Sequence, residues 1–240
     1  MRSDNTDKQD DFATQLESVY SARGYDQDLR YSEFSPPYLQ RVQSMEAAYL
    51  SVLTRVDLHK RLDQTRILDF GCGNGHWMAR IVSWGFPQDR VFGVDVREEG
   101  VLAARRLLPG CRIERNVDGV LPFEAESFDL CFVNLVFTSI LEDARRIQAA
   151  NELQRVTTRG GIILTLDFRF NNPSNPNVRM VRPKELRDLF PDCAVLEERF
   201  LVLAPPIASR VVPKARWLAA LLESLPFLRT HFLSALRKSA

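Results

Sequence analysis

The chain is short of paired cysteines, of long apolar runs and of any surplus of one charge, and each shortage closes a class of explanation. Its four cysteines, Cys72, Cys111, Cys131 and Cys193, are scattered with no CxxC pair. That spacing argues against a disulfide framework or a zinc site and fits the reduced thiols of a cytoplasmic protein. Thirty-two Lys and Arg stand against 31 Asp and Glu, for a formal net charge of +1. A nucleic-acid binder usually carries a basic field, so no nucleic-acid partner is expected. No run of about 18 apolar residues occurs, so no helix is expected to span a bilayer. Met1 to Asp11 is polar and acidic, unlike a secretory leader. At 240 residues the chain can bury a sizeable core as one domain with a small extension.

What is present centres on Ile67-Leu68-Asp69-Phe70-Gly71-Cys72-Gly73-Asn74-Gly75. The apolar run that halts at glycine reads as a buried strand. Three glycines at alternate positions let the backbone turn sharply and approach a ligand without Cβ atoms intervening. Trp77, Met78, Ile81 and Val82 then recur at helical spacing, with Asn74 in place to cap the helix. Strand, glycine turn and helix make the first unit of a nucleotide-type α/β fold.

Taken in order, residues 1–10 read as a solvated tail. Residues 11–62 read as an N-terminal helical extension, and residues 63–240 as the main domain. Within the extension a first helix carries Phe12, Leu16, Val19 and Tyr20, and an aromatic link holds Tyr25, Tyr31, Phe34 and Tyr38. A long amphipathic helix follows to position 56. Such a segment either closes over a ligand at the carboxyl ends of the strands or packs its aromatics on the sheet. Strands are expected at 66–70, 91–96, 111–115, 128–134 and 162–168, with an extended run at 194–204 and a last strand near 230–237. Helices fall between them, including one from Asp143 to Val156 stopped by Gly160-Gly161 and a last one from Pro213 to Leu225. The alternation implies a doubly wound, mostly parallel sheet with helices on both faces.

The second strand ends at Asp95, 95 − 75 = 20 residues past the last glycine, the offset of a ribose-binding acid. A dinucleotide fingerprint would place glycine or alanine three residues after Gly73, where this chain has His76. Asp69 beside the turn would repel a pyrophosphate, whereas it suits a ligand bearing an ammonium and a sulfonium. The residues therefore favour S-adenosylmethionine over NAD.

The same blocks resemble class I S-adenosylmethionine-dependent methyltransferases. The likeness runs from Ile67–Gly75 through Val91-Phe92-Gly93-Val94-Asp95, Leu121-Pro122-Phe123 with Phe128-Asp129-Leu130, and Arg159-Gly160-Gly161-Ile162-Ile163, over roughly residues 65 to 168. The resemblance implies a Rossmann-like sheet of seven strands with the last one antiparallel. It implies that Phe70, Gly71, Gly73 and Gly75 form the cofactor turn and that Asp69 serves the methionine ammonium. It likewise places Asp95 on the ribose, Val96 against the adenine, Asp118 or Asn116 near the adenine amino group, and Asn134 facing the methionine and the substrate.

His76 and Asp167 are the candidate bases, while Asn134-Leu135-Val136-Phe137 departs from the motif of many amino-directed enzymes. Asn134 and Asp167 alone do not make a metal site, so none is expected. Arg169, Asn171 and Arg179 lie in a polar, turn-rich segment that suits a hydroxylated or anionic acceptor, or serves as a rigid loop. This region is similar to methyltransferases of bacterial surface-polysaccharide biosynthesis, which implies a sugar or glycan acceptor methylated on oxygen. Trp217, Leu218, Leu221, Leu222 and Leu225 beside Arg210, Lys214 and Arg216 could instead rest on an anionic membrane and reach a quinone or other lipid-linked acceptor. Packing of that helix on the sheet is the preferred expectation. Outside methyl transfer, an NAD-dependent oxidoreductase or a non-catalytic cofactor-binding protein stands as the alternative.

Overall fold

The computed structural model describes residues 31–172 and 175–239. The tail and the helix expected across Phe12 to Tyr20 lie outside them. The elements are α1 (Pro36–Arg55), β1 (Ile67–Phe70), α2 (His76–Ser83), β2 (Val91–Asp95), α3 (Glu98–Leu107), β3 (Arg112–Arg115), β4 (Phe128–Asn134), α4 (Asp143–Val156), β5 (Thr157–Phe168), α5 (Pro183–Leu189), β6 (Cys193–Leu203), α6 (Pro205–Val211), α7 (Arg216–Glu223) and β7 (Arg229–Lys238). They build one seven-stranded sheet in the order β3-β2-β1-β4-β5-β7-β6.

β1 pairs in parallel with β2 and β4, and both its faces are covered. That burial is why β4 reads as an almost unbroken apolar run: Leu130 and Phe132 pack with Met45, Tyr49, Met78 and Ile81 on one face, while Cys131 and Val133 pack with Leu153, Leu186 and Phe190 on the other. α1 turns Val42, Met45, Tyr49 and Val52 inward and lies against β6. β7 runs antiparallel between β5 and β6. Its register sets His231 opposite Phe168 at the carboxyl end of β5, so a residue near the chain's end joins the edge where the parallel strands finish.

Two expected boundaries change. α4 spans Asp143–Val156 as expected, and the strand expected from 162 starts earlier, at Thr157, whose hydroxyl donates back to the Leu153 carbonyl at 2.6 Å. β5 begins at once and carries Gly160-Gly161 within it. The last helix, expected from Pro213 to Leu225, is the shorter α7, and an unexpected helix, α6, precedes it, with Pro213 between the two. A proline has no N–H to continue a ladder.

Candidate functional site

The glycine turn is shaped by close approach. Gly71 and Cys72 both donate their N–H to the Val94 carbonyl, at 2.8 and 2.9 Å, tying the turn to β2. Gly71 has φ +79°, and a Cβ there would lie 2.5 Å from Cγ2 of Val136. Gly73 donates its N–H to Oδ2 of Asp95 at 2.8 Å, and the Arg97 N–H binds Oδ1 of the same carboxylate at 2.8 Å. The expected ribose acid is thus aimed by two backbone amides and keeps lone pairs for a ligand. Gly75 belongs to a different task. A Cβ on it would meet Cβ of Ala104 at 3.1 Å, so it lets α2 approach α3 and does not line the cavity described next. It also occupies the cap position of α2; the Asn74 side chain, expected there, accepts the His76 N–H at 3.3 Å.

A cavity of about 1150 Å³ opens over the carboxyl ends of β1, β2, β4 and β5. Phe70, Gly71, Gly73, Asp95, Val96, Asn116, Asp118 and Asn134 all line it. Asn116 donates to the Asp118 carboxylate at 3.2 Å, so the two residues weighed for the adenine end share one loop. Asn134 accepts the Tyr49 hydroxyl on Oδ1 at 3.0 Å, which leaves its NH₂ as the donor. Leu135, just past it, takes φ +58°, a conformation rare for a leucine and concentrated at functional turns.

Asp69 lies beneath this half and not on its wall. It is 2 % exposed, and its Oδ2 has no hydrogen-bond partner among the described residues. Burial first, then the neighbouring Asp95 charge, pushes its carboxyl up to about 8. A cationic ligand overhead would favour the ionised form.

The two candidate bases are both compromised by their surroundings. His76 lines the cavity, but its Nε2 already accepts Arg80 Nε at 3.3 Å, and burial followed by Arg80 holds its pKa below the ordinary value. Asp167 is 1 % exposed, does not line the cavity, and accepts the Thr138 N–H at 2.7 Å. Its role is to brace the loop after β4. Burial pushes its carboxyl up to about 8, far above the ordinary 3.9 of an unfolded chain. The folded state therefore binds the proton more tightly. The stability this contributes is complete below about pH 4, declines between about 4 and 8, and is gone above the folded value. Asp167→Asn should accordingly match wild type near pH 4 and melt higher than wild type at pH 9, measured by thermal unfolding across pH.

The acceptor residues expected from the polar loop are also relocated. Arg169 stacks on Phe200 at 3.8 Å and donates to the Pro226 carbonyl. Asn171 accepts the Met180 N–H at 2.8 Å. Arg179 pairs with Asp143 at 2.6 Å and Glu185 at 2.9 Å. None of the three lines the cavity, because each is consumed in holding its own segment. Tyr31, Tyr38, Arg41, Asn172, Asn175 and His231 also line it. Of these, the aromatic link was readable as a possible cover; Arg41 and His231 were not singled out by any motif.

A glycine cradle beside an acid at the end of β2, at the strand ends of a doubly wound sheet with an antiparallel β7, is the architecture of a nucleoside-binding α/β domain. Residues 67–161 match a family described as "Methyltransferase domain". That stretch carries the turn, Asp95 and Asn134, and S-adenosylmethionine is the cofactor that the match supports. The buried Asp69, the cleared turn at Gly71 and the Asp95 carboxylate fit a ligand with a ribose and a cationic amino-acid end.

Among curated relatives, the chain is 30 % identical over 144 residues to trans-aconitate 2-methyltransferase of Azoarcus sp. (strain BH72), covering 59 % of this chain and 53 % of that one. The chain spans about half the length of the curated relatives it matches. Among solved structures it resembles the PH0226 protein from Pyrococcus horikoshii OT3, with TM-score 0.61, 13 % identity and coverage of 90 % and 98 % of the two chains. It also resembles geranyl diphosphate C-methyltransferase from Streptomyces coelicolor A3(2), solved with S-adenosyl-L-homocysteine, with TM-score 0.56, 13 % identity and coverage of 77 % of each chain. At such identities the structural matches speak for the fold.

Proposed function

We propose that the protein transfers a methyl group from S-adenosylmethionine to an oxygen of a small hydroxylated acceptor of the sugar kind. The observation that carries this reading is the single continuous cavity. Gly71, Gly73 and Asp95 line it together with the rings of Tyr31 and Tyr38, groups that suit stacking on a hydroxylated ring.

When bound, the cofactor supplies a methyl group already activated by a sulfonium charge. The protein's own task is then alignment and proximity. Asp95, held by two amides, accepts the ribose hydroxyls; Val96 gives an apolar wall to the base; the Asn134 NH₂, oriented by Tyr49, donates toward the methionine end. Tyr31 and Tyr38 exclude water from the acceptor side. A labelled-methyl transfer screen over sugars, nucleotide sugars, glycolipids and quinones tests the acceptor class. Label recovered in a sugar supports the reading; label confined to quinones removes it.

One observation favours a lipid-linked acceptor as the second reading. α7 buries only Ala219, while Trp217 is 73 % and Phe227 70 % exposed, contrary to the expectation that this helix packs its apolar face on the sheet. Pro205, which opens the preceding helix α6, lines the cavity. In that case the protein should co-sediment with anionic vesicles, and Trp217→Ser with Phe227→Ser should abolish the association. Wild-type protein that stays in the supernatant rejects it.

A further inference from the structure

We propose that the acceptor carries a carboxylate or phosphate held by Arg41, and that the same molecule donates a hydroxyl hydrogen bond to Nε2 of His231. This rests on the methyl-transfer reading above and narrows its substrate to an anionic, hydroxylated compound.

Arg41 stands on the cavity wall with its guanidinium 4.7 Å from the Tyr38 ring centre and 6.0 Å from that of Tyr31. Nearby arginines are committed elsewhere: Arg80 to Glu33 and Glu46, Arg97 to Asp95, and Arg179 to Asp143 and Glu185. Arg41 has ring contacts but no hydrogen bond or ion pair with any described residue. A guanidinium stacked on aromatic rings keeps its edge donors, the geometry that takes two oxygens of a carboxylate or phosphate at once.

His231 supplies the second point. It is 1 % exposed, lies at the cavity, and packs its ring 4.7 Å from that of Phe168. Nδ1 is 3.0 Å from the Thr230 hydroxyl, and that hydroxyl donates to the Val202 carbonyl at 3.3 Å. The Thr230 oxygen must therefore accept from Nδ1–H, which leaves Nε2 as an acceptor. Nε2 has no partner among the described residues. A buried acceptor without a donor is unfavourable, and a ligand hydroxyl completes it.

The two groups are electrically linked. Burial first, and then the Arg41 charge, lowers the His231 pKa to about 3, so the imidazole is a neutral acceptor. An anion on Arg41 cancels part of that field and raises the basicity of Nε2. Methyl transfer then balances: the acceptor oxygen bonds to the methyl carbon as the C–S bond breaks with its electron pair to sulfur, and the hydroxyl proton passes to Nε2 and on to water.

The test uses the full chain and three probes, glucuronate, glucose 6-phosphate and glucose, titrated calorimetrically into protein saturated with S-adenosylhomocysteine. At least one charged probe should bind about tenfold or more tightly than glucose, and which one identifies the anion. Arg41→Gln should remove that preference and Arg41→Lys should keep part of it, both with S-adenosylhomocysteine affinity within about twofold of wild type. His231→Phe should weaken the charged probe about tenfold, and His231→Gln, which keeps an acceptor oxygen, should restore most of it. Thermal melts confirm that each variant is folded, and the conservative replacements carry the test if Arg41→Gln or His231→Phe is not. Equal binding of all three probes, or none by either charged probe, overturns the proposal. So does an Arg41→Gln protein that loses S-adenosylhomocysteine, which would assign Arg41 to the cofactor's own carboxylate. Wild-type protein that fails to bind S-adenosylhomocysteine at all would instead defeat the methyl-transfer reading.

Discussion

Asp95→Ala should weaken S-adenosylhomocysteine binding by at least about a hundredfold, or about 2.8 kcal/mol, as read by titration calorimetry. Two effects combine in that number. The carboxylate is the only acid at the end of β2, and hydrogen bonds from a ligand to a charged acceptor contribute about 1.5–3 kcal/mol each. Its oxygens also receive the Gly73 and Arg97 amides, so its loss frees the turn that the ligand must meet. Asp95→Asn should fall between the two proteins, since one amide oxygen can still accept while its NH₂ opposes the backbone donors. An alanine variant that binds like wild type, with an unchanged melting curve, would detach Asp95 from the cofactor.

Gly71→Ala is the second large effect, and its origin is steric. The backbone sits at φ +79° and the added Cβ would be 2.5 Å from Val136 Cγ2. A left-handed conformation costs an L-residue about 1–2 kcal/mol, and overpacking typically adds 1–3 kcal/mol. Together these should lower the melting temperature by roughly 4–20 °C and reduce cofactor affinity more than about tenfold, because the turn must shift off Val94 or the loop after β4 must retreat. Adding Val136→Ala should recover part of the melting temperature while leaving the conformational part. Equal destabilisation in the single and double variants would show that the Val136 contact is not the cause.

The parts of this molecule that were legible in sequence are those whose physics is local. β1, the glycine turn and Asp95 were readable because strand, turn and acid follow one another at fixed spacing, and the bounds of β4 because a strand buried on both faces is apolar throughout. The antiparallel β7 came from family likeness, and its register from the pairing with β5. Gly75 shows the limit of motif reading: it sits in the glycine pattern, yet its contact is Ala104 on α3.

The acceptor side was less legible because its partners are distant in the chain. Arg179 looked like a substrate residue until Asp143, 36 positions away, claimed it. His231 carries no motif, and only the pairing of its strand with β5 brings it to the cavity. Arg41 falls beside the apolar stripe of α1 and carries no motif; its meaning comes from the two tyrosines it stacks on. The same holds for α7, whose amphipathic pattern was equally compatible with packing and with the outward face that it presents.

The central claim, that the cavity over the strand ends is an S-adenosylmethionine site, is tested most directly by titrating S-adenosylhomocysteine into the folded wild-type protein and then challenging the complex with S-adenosylmethionine and with NAD. Saturable binding at one site per chain, displaced by S-adenosylmethionine and indifferent to NAD, is the result expected from the cleared turn at Gly71 and the carboxylate of Asp95. No heat of binding from folded protein, or displacement by NAD, would contradict it.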